Sequence, residues 1–228
     1  MPKTIFKALI IVFSVMLFIT EVKAQEGGIK AEGIAGRNAI FGFFAGAEIA
    51  ADYAAPSWFQ ARGAFRYTSF PKYTLDLRPG IHRGLKSGEI YAETLFIGTF
   101  QGRSYNLCAG IDAGYRSKWF WVSLGYYYRL MMPSDGSNGL SEPANIMYEA
   151  GVTLLPEVQA WDLNIIISNS RLCELERFYQ PSLIIEGTYY PLPYLGICAS
   201  AAVKRAGIFN LSSNNYQEYF SLAIEYRW

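Results

Sequence analysis

The stretch Tyr216-Gln-Glu-Tyr-Phe-Ser-Leu-Ala-Ile-Glu-Tyr-Arg-Trp228 decides how the rest of the chain is read. From Phe220 onward, Phe220, Leu222, Ile224, Tyr226 and Trp228 fall on one face, and Ser221, Ala223, Glu225 and Arg227 on the other. Period two with one apolar and one polar face is the signature of a β-strand. It runs to the final residue and ends on an aromatic.

The same alternation recurs upstream. In Tyr105–Arg116, Leu107, Ala109, Ile111 and Ala113 oppose Cys108, Gly110, Asp112 and Gly114. Trp119–Met131 repeats the pattern, and only Ser117-Lys118 separates the two, so they form a tight hairpin. Working outward gives further strands over Ile29–Arg37, Ala39–Tyr53, Trp58–Thr68, Tyr73–Leu85, Glu89–Gln101, Asn145–Leu155, Gln159–Ser168, Ser182–Tyr190 and Tyr194–Arg205. With the last strand this makes twelve; ten also fits the less regular front half. Tyr73–Leu85 should bend or bulge at Pro79-Gly80, because proline has no N–H for a central ladder. The long polar connections, Met132–Ala144, Asn169–Pro181 and Ala206–Asn215, follow the seventh, ninth and eleventh strands. Short turns follow the eighth and tenth. Long and short connections that alternate place all long loops at one end.

The N-terminus reads as an export signal. Lys3 and Lys7 precede the uncharged run Ala8–Thr20, and Val22-Lys23-Ala24 suits cleavage before Gln25. Residues 1–24 are therefore expected to be a signal peptide, and 25–228 one β domain. The run falls short of the ~20 apolar residues a spanning helix needs. Aromatics are 16% of the chain and charged residues 17%, against a usual charged fraction of about 25%. That balance suits strands with a lipid-facing side. A net charge of +1 gives no electrostatic case for nucleic acid. Cys108, Cys173 and Cys198 lack zinc-site spacing, so no metal or other cofactor is expected, and at most one disulfide, with Cys108 and Cys198 both on the inner face.

Taking the polar phase inward explains where the strand charges lie. A charge on the lipid face near the midplane costs on the order of 2–4 kcal/mol, while inside it pairs or meets water. The inner wall then carries the acids Glu48, Asp76, Glu93, Asp112, Glu149, Asp162, Glu186 and Glu225, with Glu32 and Asp52. It also carries the bases Arg62, Arg66, Arg78, Arg116, Arg129, Lys204 and Arg227, with Lys30. Acids and bases nearly balance. The wall either lines a mixed-charge, water-filled pore for small polar solutes or pairs across the lumen into a rigid plug. Arg62, Arg66 and Arg78 read either as a basic ladder for anions or as paired with the nearby Asp76 and Glu48 or Asp52.

A soluble sandwich or lipocalin-like barrel also alternates, but the many glycines on the polar faces suit a confined interior better than a solvated exterior. Catalysis is not expected. His82 is the only histidine, points inward, and has no His-x-Ser motif beside it. The remaining alternative is an interaction protein, an adhesin or an accessory barrel of a secretion or surface-assembly system. It would act through extracellular loops such as Asn169–Pro181, with Arg171, Glu174, Glu176, Arg177, Phe178 and Tyr179.

The signal peptide, the aromatic-rich alternating strands and the terminal Glu225-Tyr226-Arg227-Trp228 together resemble the Gram-negative outer-membrane β-barrel class. The resemblance implies a transmembrane antiparallel up-and-down barrel in the cell envelope, surrounded by outer-membrane lipid. It also implies a final strand, Phe220 to Trp228, read by the barrel-assembly machinery. This class usually ends in Phe, and the motif is generic, so no solute or site is carried over.

Overall fold

A computed structural model describes residues 26–39, 42–55, 58–69, 72–102, 104–133, 139–158, 160–171, 173–175, 180–205 and 215–228. The signal-peptide segment lies outside them. The barrel strands are β1 (Glu26–Asn38), β2 (Gly42–Ala54), β3 (Phe59–Thr68), β4 (Lys72–Leu85), β5 (Gly88–Gln101), β6 (Ser104–Arg116), β7 (Phe120–Pro133), β8 (Leu140–Thr153), β9 (Trp161–Ser168), β12 (Ser182–Leu192), β13 (Leu195–Arg205) and β14 (Asn215–Arg227). Two short strands, β10 (Ser170–Arg171) and β11 (Glu174–Leu175), form a separate hairpin between β9 and β12.

The twelve long strands close into one antiparallel barrel. Closure is made by β14 against β1, in register from Gly28 opposite Arg227 to Asn38 opposite Gln217. The two termini meet at the same end, where the Gly27 and Trp228 backbones exchange hydrogen bonds of 3.3 and 3.0 Å. Closure matters because an open edge would leave unpaired N–H and C=O groups in hydrocarbon, each costing several kcal/mol.

Three local features depart from the sequence expectation. No bulge forms at Pro79-Gly80: Leu77 opposes Phe96 and Gly80 opposes Glu93 in one unbroken register, and only the ladder bonds between are missing. The Thr94 hydroxyl donates to the Pro79 carbonyl at 3.1 Å instead. A register shift occurs instead between β7 and β8, after Tyr127 opposite Asn145, near Pro143. Beyond it the strands continue, so most of the connection expected over Met132–Ala144 is strand. β2 starts at Gly42 rather than Ala39, with Gly42 at φ +80, a conformation that suits glycine.

The outer surface is apolar. Ile111, Leu124, Ile165, Leu183, Ile197, Leu222 and Ile224 all stand exposed. Water would not tolerate such a continuous belt, whereas lipid does. Aromatics gather at both rims. Tyr67, Tyr73, Phe100 and Tyr105 make a chain of ring contacts at 5.1, 6.3 and 5.1 Å at the end away from the termini. Trp161–Tyr189 at 4.6 Å and Tyr226–Trp228 at 6.2 Å mark the terminal end. Two aromatic girdles flanking an aliphatic band are the outline of a bilayer. Glu218, which shares the outward phase, is exposed opposite Arg37 at the upper rim rather than in the band.

Candidate functional site

Because side chains alternate along each strand, every second residue enters the lumen. There the charges meet in pairs. Arg62 reaches Glu93 at 2.5 Å, Arg66 reaches Glu48 at 2.6 Å, and Arg78 reaches Asp76 at 2.9 Å. Arg62, Arg66 and Arg78 therefore do not form a free basic ladder; Arg66 takes Glu48, Arg78 takes Asp76, and Arg62 takes Glu93. Arg129 pairs with Glu142 at 3.5 Å, a residue the sequence had assigned to a loop. Lys30 lies between Glu32 at 3.1 Å and Glu186 at 3.7 Å. At the terminal end Arg227 pairs with Glu225, and Arg116 with Glu89. The pairing is demanded by burial: Asp76 is 0% and Arg78 4% exposed, and an unpaired buried charge costs several kcal/mol.

Glu149, also on the inner face, accepts a hydrogen bond from the Trp121 indole at 2.7 Å. Trp121 lies over Gly151, where a Cβ would fall 2.1 Å from the ring. Asp112 is buried, and Asp162 lines a cavity at the terminal mouth. His82 is bracketed by Glu89 at 3.1 Å and the Ala55 carbonyl at 3.0 Å. Cys108, Cys173 and Cys198 are buried and free, so no disulfide links Cys108 to Cys198.

The connection after β9 departs most from expectation. Its described part does not extend outward as a contact loop; it folds into the barrel. Asn169 fixes the reversal: its Oδ1 accepts from the Tyr148 amide at 2.7 Å, and its Nδ2 donates to the Ile146 carbonyl at 2.9 Å. The β10–β11 hairpin then crosses the lumen. Arg78 donates to the carbonyls of Ser170 at 3.2 Å and Arg171 at 2.8 Å. The Cys173 amide donates to Asp76 at 2.9 Å, which holds Cys173 at φ 59, an unusual angle for a residue with a side chain. Arg129 donates to the Leu175 carbonyl at 2.5 Å, and Arg171 pairs with Glu186 at 3.1 Å.

Glu174 is the electrostatic centre of this arrangement. Arg66 of β3 pairs with it from one side and Lys204 of β13, at 3.5 Å, from the other. Burial alone would raise its carboxyl, but Lys204 and Arg66 outweigh that and hold it down to about 2. The hairpin is thus tied to β3, β4, β7, β12 and β13, on opposite sides of the barrel. Glu176, Arg177, Phe178 and Tyr179 lie outside the described residues.

Apolar side chains complete the filling of this half. Ile34, Phe44, Ile166, Ile184, Ala202 and Tyr219 form one inward cluster, and Leu95, Ile97, Cys108, Tyr127 and Met147 a second, against which Leu175 of the hairpin packs. Below them the lumen opens toward the termini. Two cavities of about 670 and 330 Å³ share Pro193 and Arg227 at that mouth, the larger reaching Asp52 and Glu225 and the smaller Asp162 and Tyr190.

Sequence reasoning missed the hairpin's part in the site. Arg171 and Glu174 sit in a polar connection, and surface polarity is the commoner reason for such composition. Their partners, Glu186, Arg66 and Lys204, are visible only when the barrel closes.

A closed twelve-stranded antiparallel barrel with an apolar belt, two aromatic girdles and an inward-folded connection defines a transmembrane β-barrel of the outer-membrane type. Solved structures agree on that fold. The chain is similar to the KdgM porin in complex with disordered oligogalacturonate, at TM-score 0.55 and 7% identity over 87% of this chain and 98% of that one. It is similar to the NanC porin at TM-score 0.55 and 8% identity, again over 87% and 98%. It also matches the translocator domain of the autotransporter NalP from Neisseria meningitidis, at TM-score 0.56 and 11% identity over 99% and 98%. No protein-family model and no curated protein matches the sequence.

Proposed function

We propose that the protein is a small outer-membrane channel for polar solutes, narrowed by the hairpin Ser170–Leu175. The observation that carries this reading is how the hairpin is fastened. It lies across a lumen of paired charges as a separate two-stranded sheet, outside the barrel ladder, and is held to the wall by side-chain hydrogen bonds and ion pairs. The wall that it leaves behind would be Arg62, Arg66, Asp76, Arg78, Glu93, Arg129, Glu186 and Lys204, with Glu48, Asp112, Arg116, Glu149, Asp162, Glu225 and Arg227 continuing toward the termini. KdgM and NanC are both called porins, which agrees with this assignment.

Export by a signal peptide cleaved before Gln25, and insertion by the barrel-assembly machinery through Phe220–Trp228, belong to the same reading. So does the absence of a catalytic role, since the two His82 ring nitrogens meet a carboxylate and a carbonyl rather than a nucleophile. A structural barrel is the second reading, favoured by the apolar cluster around Ile34 and Ile184. Planar-bilayer recording separates them. The wild type should conduct in small steps, and a variant with Asn169–Pro181 replaced by a short Gly/Ser turn should conduct more. Silence from both, in protein that migrates as a folded barrel before boiling, would leave the structural reading.

A further inference from the structure

Lys30, Arg62, Arg66, Arg78, Arg116, Arg129, Arg171, Lys204 and Arg227 each face a carboxylate, but the converse does not hold. Asp52, Asp112, Glu149 and Asp162 make no ion pair among the described residues. All four lie within a few residues of the strand ends nearest the termini. Asp52 is near the end of β2, Asp112 and Glu149 are one turn of the pleat deeper on β6 and β8, and Asp162 is the second residue of β9. They stand on four strands distributed around the wall. Asp52 and Asp162 line the two mouth cavities. Asp112 is 7% exposed, and its Oδ1 meets no hydrogen-bond partner. The half that holds the hairpin is different: Glu48, Asp76, Glu174 and Glu186 each have at least one cation against them.

From this asymmetry we infer that the lumen takes cations in preference to anions, recruited at the mouth carrying the chain termini by Asp52, Asp112, Glu149 and Asp162. This rests on the channel reading and specifies its solute class. A charged, water-filled cleft with low-dielectric walls concentrates counter-ions, so unmatched carboxylates act before a solute reaches the neutral constriction. No metal-ligand geometry is required: among the described residues no cluster of His, Cys, Asp and Glu is arranged to hold a metal ion. The relevant solutes are hydrated monovalent cations and small organic ammonium ions.

The test is the reversal potential in a potassium chloride gradient, recorded on the wild type and on the variant lacking the hairpin. A potassium-over-chloride permeability ratio above about 3 is expected in both. D52N/D162N at the mouth, and separately Glu149→Gln, should each lower the ratio by about half at low salt, and less at 1 M where screening is strong. Heat-modifiable migration checks that each variant remains a barrel. Open channels with no selectivity, or with chloride preferred, overturn the cation inference and leave the channel standing. Silence from both proteins overturns the channel itself and the inference with it.

Discussion

Arg78 and Asp76, two residues apart on β4, point into the lumen together and are joined at 2.9 Å. Their remaining hydrogen-bonding capacity is spent on the hairpin. Arg78 holds two of its carbonyls, and Asp76 accepts its Cys173 amide. A planar guanidinium suits this role, because its fork presents several donors in fixed directions.

Arg78→Lys keeps the charge beside Asp76 but loses that fork. We expect the barrel to fold, with the hairpin loosened and single-channel conductance raised above wild type. Arg78→Ala should be worse, since Asp76 is left buried without its cation, at a cost of about 3–5 kcal/mol. Urea unfolding in detergent checks the second effect, and bilayer recording the first.

The Glu174 latch sets an acid limit. Its carboxyl is held down to about 2 in the folded protein, against an ordinary value of 4.5. A depressed carboxyl contributes stability that is fully present above 4.5 and lost as pH falls through about 2. Conductance should therefore hold steady from pH 7 to pH 5 and rise only on further acidification. Glu174→Gln should show the raised conductance already at pH 7, with little added by acid.

Gly151 gives the Trp121 indole its place. A side chain there would sit 2.1 Å from the ring, so Gly151→Val must displace Trp121 and break its bond to Glu149. The expected loss is about 1–3 kcal/mol of stability, with a red shift in tryptophan emission as the ring leaves its inner site.

The lipid face is tested at Leu222, exposed in the middle of β14. Leu222→Arg should destabilise the barrel by about 2–4 kcal/mol. Arginine in place of the outward-facing Glu218 at the rim should cost far less. Equilibrium unfolding from lipid vesicles compares the two.

The strand pattern was legible because a sheet repeats every two residues and lipid tolerates few exceptions on one face. Phe220 to Trp228 and the β6–β7 hairpin show it plainly, and with the alternation of loop lengths they point to twelve strands, with ten left open by the less regular front half. Exceptions arose where the determinant lies elsewhere. Nothing near Met132–Ala144 announces that β8 starts at Leu140 and runs through Pro143, since an irregular register is allowed only because the neighbouring strand accommodates it. Arg62 carries no mark of Glu93 as its partner; Glu93 stands on β5, two strands away, and that choice depends on barrel stagger.

The sequence alone therefore determined the membrane architecture, the phase of each strand and the containment of charge, all consequences of local periodicity and the cost of charge in hydrocarbon. Only the tertiary structure decided what occupies the lumen. Asn169 turns the chain inward because the Tyr148 amide and Ile146 carbonyl are there to receive it, and Glu174 stays inside because Arg66 and Lys204 reach it from opposite walls. Arg66, Glu174 and Lys204 lie far apart in the chain and meet only across the closed barrel, whereas Asn169 needs only the adjacent strand β8.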